Sequence, residues 1–299
     1  MKTIIFYFSG SGNTKLVANE IAKNLEGESL LYEMREGNEA IPDLNEFDLI
    51  GIGFPIHGFN SPWYPYAFIK RHFPKLKKDF FTFETSGEAH PANDFAARKI
   101  IHLLKRRGYR CVQNFHYLMP YNMIFRHTDA MAKRLWAYSK ALTKYNAIRL
   151  NEKDFDRVKF PFFRGWHTPF VRIEWPFAKV HGKCFRVDME KCMHCGLCLK
   201  NCPTNNIEYK DGKFIFHARC TLCMACSFHC PKAAIKPGIF NRSWKVTGSY
   251  HVEQLIADPT LKMAGNEDKQ FTKKILHYQD YYKKADALLQ SKNIQLECE

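Results

Sequence analysis

The sequence lacks the long hydrophobic run that a membrane-spanning helix needs. Such a helix takes about 20 consecutive apolar residues, and the most apolar late stretch, residues 160–177, is interrupted by four charged or titratable side chains. An export signal is also missing, because the apolar run Ile4–Phe8 is too short and leads directly into Ser and Gly. We therefore expect a cytoplasmic protein with no transmembrane segment.

Two common nucleotide motifs are absent from the glycine-containing loop near the N-terminus. A Walker loop needs four residues between its glycines and then Gly-Lys, and the dinucleotide motif needs a third glycine where Lys15 stands. The loop does have small residues, hydroxyls and a following helix, Thr14–Leu25, whose N-terminus favours an anion. It is predicted to bind a phosphate group through Ser9, Gly10, Ser11, Gly12, Asn13 and Thr14.

The surrounding pattern predicts an α/β fold, a doubly wound parallel sheet of five strands. Helical segments are expected near Tyr64–Phe73 and Asp94–Arg107. The strands are expected at Thr3–Phe8, Glu28–Glu33, Asp48–Phe54, Asp79–Thr85 and Arg110–Leu118. Ligands of such sheets bind beyond the carboxyl ends of the strands, which points to the loops after strands three and four. Their residues are Pro55, Ile56, His57, Gly58, Phe59 and Asn60, and Thr85, Ser86 and Gly87.

Cysteine, by contrast, is abundant: there are eleven, and eight of them form two copies of one spacing, 28 residues apart. Each copy reads Cys-x-x-Cys-x-x-Cys-x-x-x-Cys-Pro. Three close thiolates can hold one face of a cuboidal iron–sulfur cluster while the fourth reaches the neighbouring cluster. One [4Fe–4S] cluster is therefore predicted on Cys192, Cys195, Cys198 and Cys230, and a second on Cys220, Cys223, Cys226 and Cys202. Structural zinc is the alternative, but it gives no reason for the repeated fourth cysteine and proline.

These motifs resemble two known families. The phosphate loop is similar to the flavodoxin loop Ser/Thr-x-Ser/Thr-Gly-x-Thr, and the cysteine run resembles a bacterial-type 2[4Fe–4S] ferredoxin of the α+β type. The whole resembles the flavodoxin–ferredoxin fusion proteins of anaerobic bacteria and archaea. The resemblance implies FMN, with its phosphate on the first loop and its isoalloxazine between the other two. One departure is that residues 85–88 offer no aromatic side chain to stack on the flavin, so Phe59 or Trp63 is the candidate for that position.

Four regions are expected from composition and motifs. They are a flavodoxin-like domain at 1–152, an aromatic and basic linker at 153–182, a ferredoxin domain at 183–245 and a helical tail at 246–299. The tail carries apolar residues in heptad-like spacing over fewer than three heptads. It is therefore expected to dock as a helix or to make a weak dimer contact.

The charge balance is strongly basic. The formal net charge is +15, and eight thiolates with two oxidised cluster cores would bring it to about +11. An acidic redox partner fits such a field. Nucleic acid is the rival partner, but the sequence has no recognisable nucleic-acid motif and the basic residues are scattered.

FMN accepts one or two electrons while each cluster passes one, so the predicted function is an electron relay that couples one-electron carriers to two-electron chemistry. The alternative is an enzyme, a ferredoxin-dependent flavin reductase that acts on a small organic substrate beside His57 and Tyr121. Redox sensing is a third possibility. The sequence leaves open whether the chain is an enzyme.

Overall fold

The N-terminal half is built on one parallel β-sheet. The computed structural model describes residues 1–38, 40–121, 125–156, 158, 168–238, 251–269, 271 and 277–297. The sheet comprises β1 Lys2–Tyr7, β2 Glu28–Glu33, β3 Leu49–Pro55, β4 Asp79–Ser86 and β5 Arg110–Leu118. All four neighbouring pairs are parallel, in the order β2-β1-β3-β4-β5. The predicted doubly wound, flavodoxin-like sheet is thus confirmed, with strand ends within one residue of those expected.

The central strands are buried on both faces, which explains their nearly continuous apolar sequences. Gly51 and Gly53 in β3 let the phenylalanines of β4 lie across the strand. A Cβ on Gly53 would lie 2.0 Å from the ring of Phe83, and one on Gly51 would lie 2.6 Å from that of Phe81. The sequence therefore places large rings on one strand and glycines on its neighbour.

Helices cover both faces of the sheet. They are α1 Asn13–Asn24, α2 Trp63–His72, α3 Arg98–Lys105 and α4 Asp129–Asn151. One buried cluster includes apolar residues of α1 and α4, and the other includes those of α2 and α3. α3 begins four residues later than predicted because Pro91–Phe95 forms a separate 3₁₀ turn, in which the His90 side chain accepts from the N–H of Ala92.

The region predicted as a linker contains a helix, α5 Thr168–Gly182, which the sequence pattern did not indicate. Pro176 lies inside it, although helix interiors disfavour proline, and the segment has no clear hydrophobic periodicity in the sequence. The indole N–H of Trp175 donates to the carbonyl of Ser61 at 2.8 Å. α5 therefore packs against the loop that follows β3.

The cysteine-rich segment forms two small antiparallel sheets and two short helices. β6 Arg186–Val187 pairs with β9 Ile235–Lys236, and β7 Ile207–Lys210 pairs with β8 Lys213–Phe216. α6 Leu197–Lys200 and α7 Ala225–Phe228 pack against each other. The backbone repeats itself as the sequence does, with left-handed residues at three equivalent pairs of positions, His194 and Leu222, Gly196 and Met224, Asn205 and Ala233.

The tail contributes α8 Val252–Ile256 and α9 Tyr278–Ser291. The apolar side of α9 is buried in the cluster that contains α4, and the Tyr138 hydroxyl donates to Asp286 at 2.9 Å. Five of the heptad-like residues, Phe271, Tyr278, Tyr282, Ala285 and Leu289, are thus covered within the chain, and the sixth, Ile275, lies outside the described residues. In the described ranges, no helix combines the length and the apolar character needed to cross a membrane.

Candidate functional site

The eight motif cysteines line two cavities, and each cavity takes residues from both motifs. The first is lined by Cys192, Cys195, Cys198 and Cys230, and the second by Cys202, Cys220, Cys223 and Cys226. Their volumes are similar, about 20 Å³ each. The side chains surround each cavity: in the described part of the chain, no three His, Cys, Asp or Glu groups are placed to hold a single metal ion. Four sulfurs around a cavity are a donor set that fits a four-iron core.

Burial dominates the electrostatics of Cys198, Cys220, Cys223 and Cys226. It raises the pKa of Cys198 to about 11, that of Cys220 to about 12 and that of Cys223 to about 11. The other motif cysteines around each thiol raise its pKa further, Cys192 and Cys230 in the case of Cys198. Thiolates in such surroundings need a cationic centre beside them, which the iron of a cluster provides.

The phosphate-loop residues lie where β1 meets α1. Gly12 precedes the helix with a φ of +93°, a left-handed conformation that glycine adopts without strain. The Thr14 hydroxyl is 2.8 Å from that of Thr85, and the Asn13 amide donates to the carbonyl of Pro120 at 2.9 Å. Hydroxyls, a glycine and a helix N-terminus are thus tied to the loops after β4 and β5, and this donor set fits the phosphate of FMN.

The loop after β3 is a tight turn. His57 and Asn60 exchange both backbone hydrogen bonds at 2.9 Å. The two central residues, Gly58 and Phe59, have φ of +51° and +64°, which is unusual for phenylalanine. The ring of Phe59 lies 5.0 Å from that of His90. Strained residues of this kind concentrate at ligand sites, and this turn is one of the two that the sequence assigned to the isoalloxazine.

The loop after β4 is covered by Tyr121. A Cβ on Gly87 would lie 2.2 Å from the ring of Tyr121, so only glycine permits this approach. The Tyr121 N–H donates to Nδ1 of His127, and the opposite ring nitrogen of His127 lies 2.7 Å from the hydroxyl of Tyr278. The structure therefore brings an aromatic ring to the loop that has none in its own sequence.

The His57 side chain contacts the backbone of the second cysteine motif. Its Nδ1 lies 3.1 Å from the carbonyl oxygen of Thr221, and burial lowers its pKa to about 4. The imidazole is accordingly neutral at pH 7. Of the two candidate catalytic residues, Tyr121 thus adjoins a flavin-side loop and His57 adjoins the second cysteine motif; a catalytic role for either stays a prediction.

The flavin-side loops touch the second cysteine motif directly. A Cβ on Gly10 would lie 2.2 Å from the carbonyl oxygen of Cys223, so the phosphate loop and the cluster loop are in backbone contact. The indole N–H of Trp63 donates to the carbonyl of Cys220 at 2.8 Å. From α5, Gly182 leaves no room for a side chain, because a Cβ there would lie 2.0 Å from Cβ of Cys220.

The cysteines and the loops could be identified from the sequence, but these contacts could not. Trp63 was a candidate to cover the flavin; in the structure its N–H donates to the cysteine segment and Lys179 lies 4.5 Å from the centre of its ring. No motif marks Gly182 or Trp175 as a contact residue. The only signal was the aromatic composition of residues 153–183, which indicated an interface without identifying its partners.

Two family models match separate parts of the chain. A family model described as a flavodoxin domain matches residues 4–109, and one described as a 4Fe–4S binding domain matches residues 185–208. No curated protein matches the chain.

Several solved structures are similar to the N-terminal half. Oxidised flavodoxin 2 from Bacillus cereus is 21% identical, with a TM-score of 0.39, and the match covers 51% of this chain and 99% of that one. A flavodoxin from the domain Archaea is 18% identical, with a TM-score of 0.37 and coverage of 51% and 98%. A flavoprotein from Lactobacillus acidophilus in complex with FMN is 20% identical, with a TM-score of 0.30 and coverage of 38% and 92%.

The flavodoxin-domain match and the five-stranded sheet lie in the N-terminal part of the chain, with the phosphate loop. The 4Fe–4S match and the cysteine cavities lie further along the chain, with the cysteine motifs. They support an electron-transfer protein that uses flavin and iron–sulfur chemistry. The chain is a fusion of a flavodoxin-like domain at the N-terminus with a 4Fe–4S ferredoxin-type segment in its C-terminal part.

Proposed function

We propose that the chain relays electrons between one FMN and two [4Fe–4S] clusters, and so joins one-electron carriers to two-electron chemistry. The observation that carries this proposal is the grouping of the eight cysteines into two similar cavities, one of which abuts the loop proposed to bind the FMN phosphate. When bound, FMN supplies a centre that can take up one or two electrons.

Each part of the chain has a defined role in this proposal. Residues 1–152 bind FMN: residues 9–14 hold the phosphate, and residues 55–60 and 85–87 flank the isoalloxazine. Residues 183–245 hold the clusters with crossed ligation. Residues 153–182 connect the two, and α5 within them fixes the separation of flavin and cluster through Trp175 and Gly182. In the tail, α9 packs onto the first domain, and Val252 of α8 packs in the apolar cluster of the cysteine segment.

Anaerobic purification with iron and flavin quantified is the first test. We expect about eight iron atoms and one FMN per chain. Zinc in place of iron, or a colourless protein after anaerobic reconstitution with iron and sulfide, would refute the cluster assignment. Loss of FMN with iron unchanged in Gly12→Val would support the phosphate loop, because a side chain at that left-handed position displaces the backbone.

The competing candidate is a ferredoxin-dependent flavin reductase with an organic substrate. The observation that favours it is Tyr121, a polar aromatic residue packed on Gly87 in a flavin-flanking loop. The two candidates differ in turnover. A relay passes electrons between two carriers and consumes no organic acceptor, whereas a reductase converts a substrate in proportion to the ferredoxin oxidised, and Tyr121→Phe should then lower kcat.

A further inference from the structure

The two cluster sites have different surroundings although their sequences repeat. The second site, around Cys202, Cys220, Cys223 and Cys226, meets the flavodoxin-like domain at three points. Gly10 meets Cys223, Trp63 meets Cys220 and His57 meets Thr221. Two of these are hydrogen bonds to consecutive carbonyls of the cluster loop, at 2.8 and 3.1 Å. Residues of the flavodoxin-like domain therefore hold the backbone of this cluster loop in place.

The first site faces outward. Cys195 is exposed. Four large apolar side chains of the same segment are also exposed, by 39 to 57%: Met189, Met193, Tyr209 and Ile215. Of these, Met193 lines the first cavity itself. A redox protein that approaches this surface comes close to the first cluster, whereas the second cluster lies behind the flavodoxin-like domain and α5.

The two sites are adjacent to each other. α6 carries Cys198 and α7 carries Cys226, and these helices pack together. Both cysteines also pack against the same apolar cluster of this segment. Cys198 and Cys226 therefore stand between the two cavities, on the side where one cluster faces the other.

We propose that the three centres act in a fixed order, in which the cluster of Cys202, Cys220, Cys223 and Cys226 is the one that exchanges electrons with FMN and the other cluster meets external carriers. Trp63 and His57 are positioning residues that hold the inner cluster loop against the flavin site. This inference rests on the proposed function and deepens it, because it assigns a separate role to each copy of the motif.

The electron count is balanced by carriers and solvent. For each FMN reduced, two molecules of a one-electron carrier protein are oxidised at the outer cluster. Their electrons pass singly through the outer and then the inner cluster, and two protons come from water. Because electron transfer slows steeply with distance, the order of the centres decides which cluster can serve the flavin and which can serve the partner.

Phosphorus NMR of the bound FMN provides a test that does not depend on activity. In the fully reduced protein the clusters are paramagnetic, and a paramagnet broadens a nearby nucleus by an amount that falls steeply with distance. Since Gly10 of the phosphate loop touches Cys223, the ³¹P line of the FMN phosphate should report on the inner cluster. The experiment compares the wild-type protein with Cys195→Ser, which removes an outer ligand, and Cys226→Ser, which removes an inner one.

The ³¹P line should be broad in the wild type, remain broad in Cys195→Ser and become narrow in Cys226→Ser. A narrow line in Cys195→Ser, with FMN retained and about four iron atoms left, would overturn the inference while leaving the relay intact. If Cys226→Ser does not fold, the Cys195→Ser result alone still decides. Absence of FMN or iron from the wild type would instead refute the proposed function, so the two failures are distinguishable.

Discussion

The two cysteine motifs have the same spacing but lie in different environments. The backbone conformations repeat, down to left-handed residues at equivalent positions such as Gly196 and Met224. Around the first motif Cys195 is exposed and Met193 is 57% exposed, whereas around the second Met224 is 3% exposed and the loop bonds to the flavodoxin-like domain. Duplication thus supplies two similar metal sites, and the neighbouring domain makes them unequal.

The largest effects are expected from pairs of cysteine substitutions, because they test which motif each fourth cysteine serves. With crossed ligation, Cys202→Ala combined with Cys226→Ser damages one cluster only, so about four of eight iron atoms remain. Cys202→Ala combined with Cys195→Ser damages both, and nearly all iron is lost. Iron analysis after anaerobic reconstitution measures this. If the second pair kept four iron atoms and the first pair kept none, each motif would ligate its own cluster.

The sequence was sufficient for the five strands of the parallel sheet and for the grouping of residues into motifs, because both follow from local patterns. The apolar strands and the loop with Gly10 and Gly12 indicate a flavodoxin-like domain whatever lies beside it. The contacts that distinguish the clusters could not be predicted. The backbone contact between Gly10 and Cys223 joins residues more than 200 positions apart in the sequence. No sequence periodicity indicates which carbonyl accepts a hydrogen bond from the Trp63 N–H.

The second-largest effect is expected at Gly10. In Gly10→Ala the new Cβ would lie 2.2 Å from the carbonyl oxygen of Cys223, so the phosphate loop and the inner cluster loop must separate. We expect FMN affinity to fall at least tenfold, which corresponds to about 1.4 kcal/mol. Titration of the apoprotein with FMN measures it.

The matched control is Gly196→Ala in the outer loop. A Cβ there meets nothing within 4 Å, and the φ of +71° causes local strain only. FMN affinity should therefore be unchanged. Equal losses of FMN in both variants would mean that general destabilisation, and not contact with the inner loop, explains the effect.

A buried carboxyl on the inner side should make stability depend on pH. Glu174 packs against Gly58, whose Cβ would lie 3.2 Å from Cγ of Glu174, and burial raises the pKa of this carboxyl from the usual 4.5 to about 8. The folded protein therefore keeps a proton that the unfolded chain has lost. The free energy of unfolding should fall as pH rises between about 4.5 and 8, by up to about 1.4 kcal/mol for each pH unit.

Glu174→Gln should reduce this slope, so that the variant loses less stability than the wild type between pH 5 and pH 8. Part of the slope should remain, because burial also raises the pKa of the Glu84 carboxyl to about 8. Glu190→Gln, which changes an exposed carboxyl on the outer side, is the control and should leave the profile as it is. Urea unfolding at several pH values measures both. A slope in Glu174→Gln as steep as that of the wild type would show that Glu174 does not contribute to it.

Trp63→Phe should produce a smaller local effect. The variant keeps an aromatic side chain at this position but loses the hydrogen bond from the indole N–H to the carbonyl of Cys220. Such a bond is worth about 1 kcal/mol. Amide hydrogen exchange in residues 220–224 should then be about fivefold faster if it proceeds by local opening. Tyr209→Phe, at an exposed ring of the outer hairpin, should leave the same amides unchanged. Equal exchange in Trp63→Phe and the wild type would remove Trp63 from its positioning role.

The smallest effect is expected at the outer rim, where charge affects the encounter with the partner. Residues 183–245 contain eleven Lys and Arg against four Asp and Glu, and two clusters lower this excess of +7 to about +3. Lys232 is exposed and lines the first cavity. Lys232→Glu should slow reduction by an acidic one-electron carrier a few-fold at low salt, and the difference should shrink as the Debye length falls below about 10 Å.

Stopped-flow reduction over a range of salt concentrations measures this rate, with Lys283→Glu on α9 as the control for total charge. If the two variants slow equally, only net charge matters and the outer face is not the docking site.

Duplex DNA added at low salt tests nucleic acid as the rival partner. If DNA binds only as a weak polyanion, it should lower the reduction rates of both variants alike. This effect should disappear as salt rises, because nonspecific binding depends on counterion release. Saturable DNA binding that persists near physiological salt would instead favour nucleic acid as the partner of this basic chain.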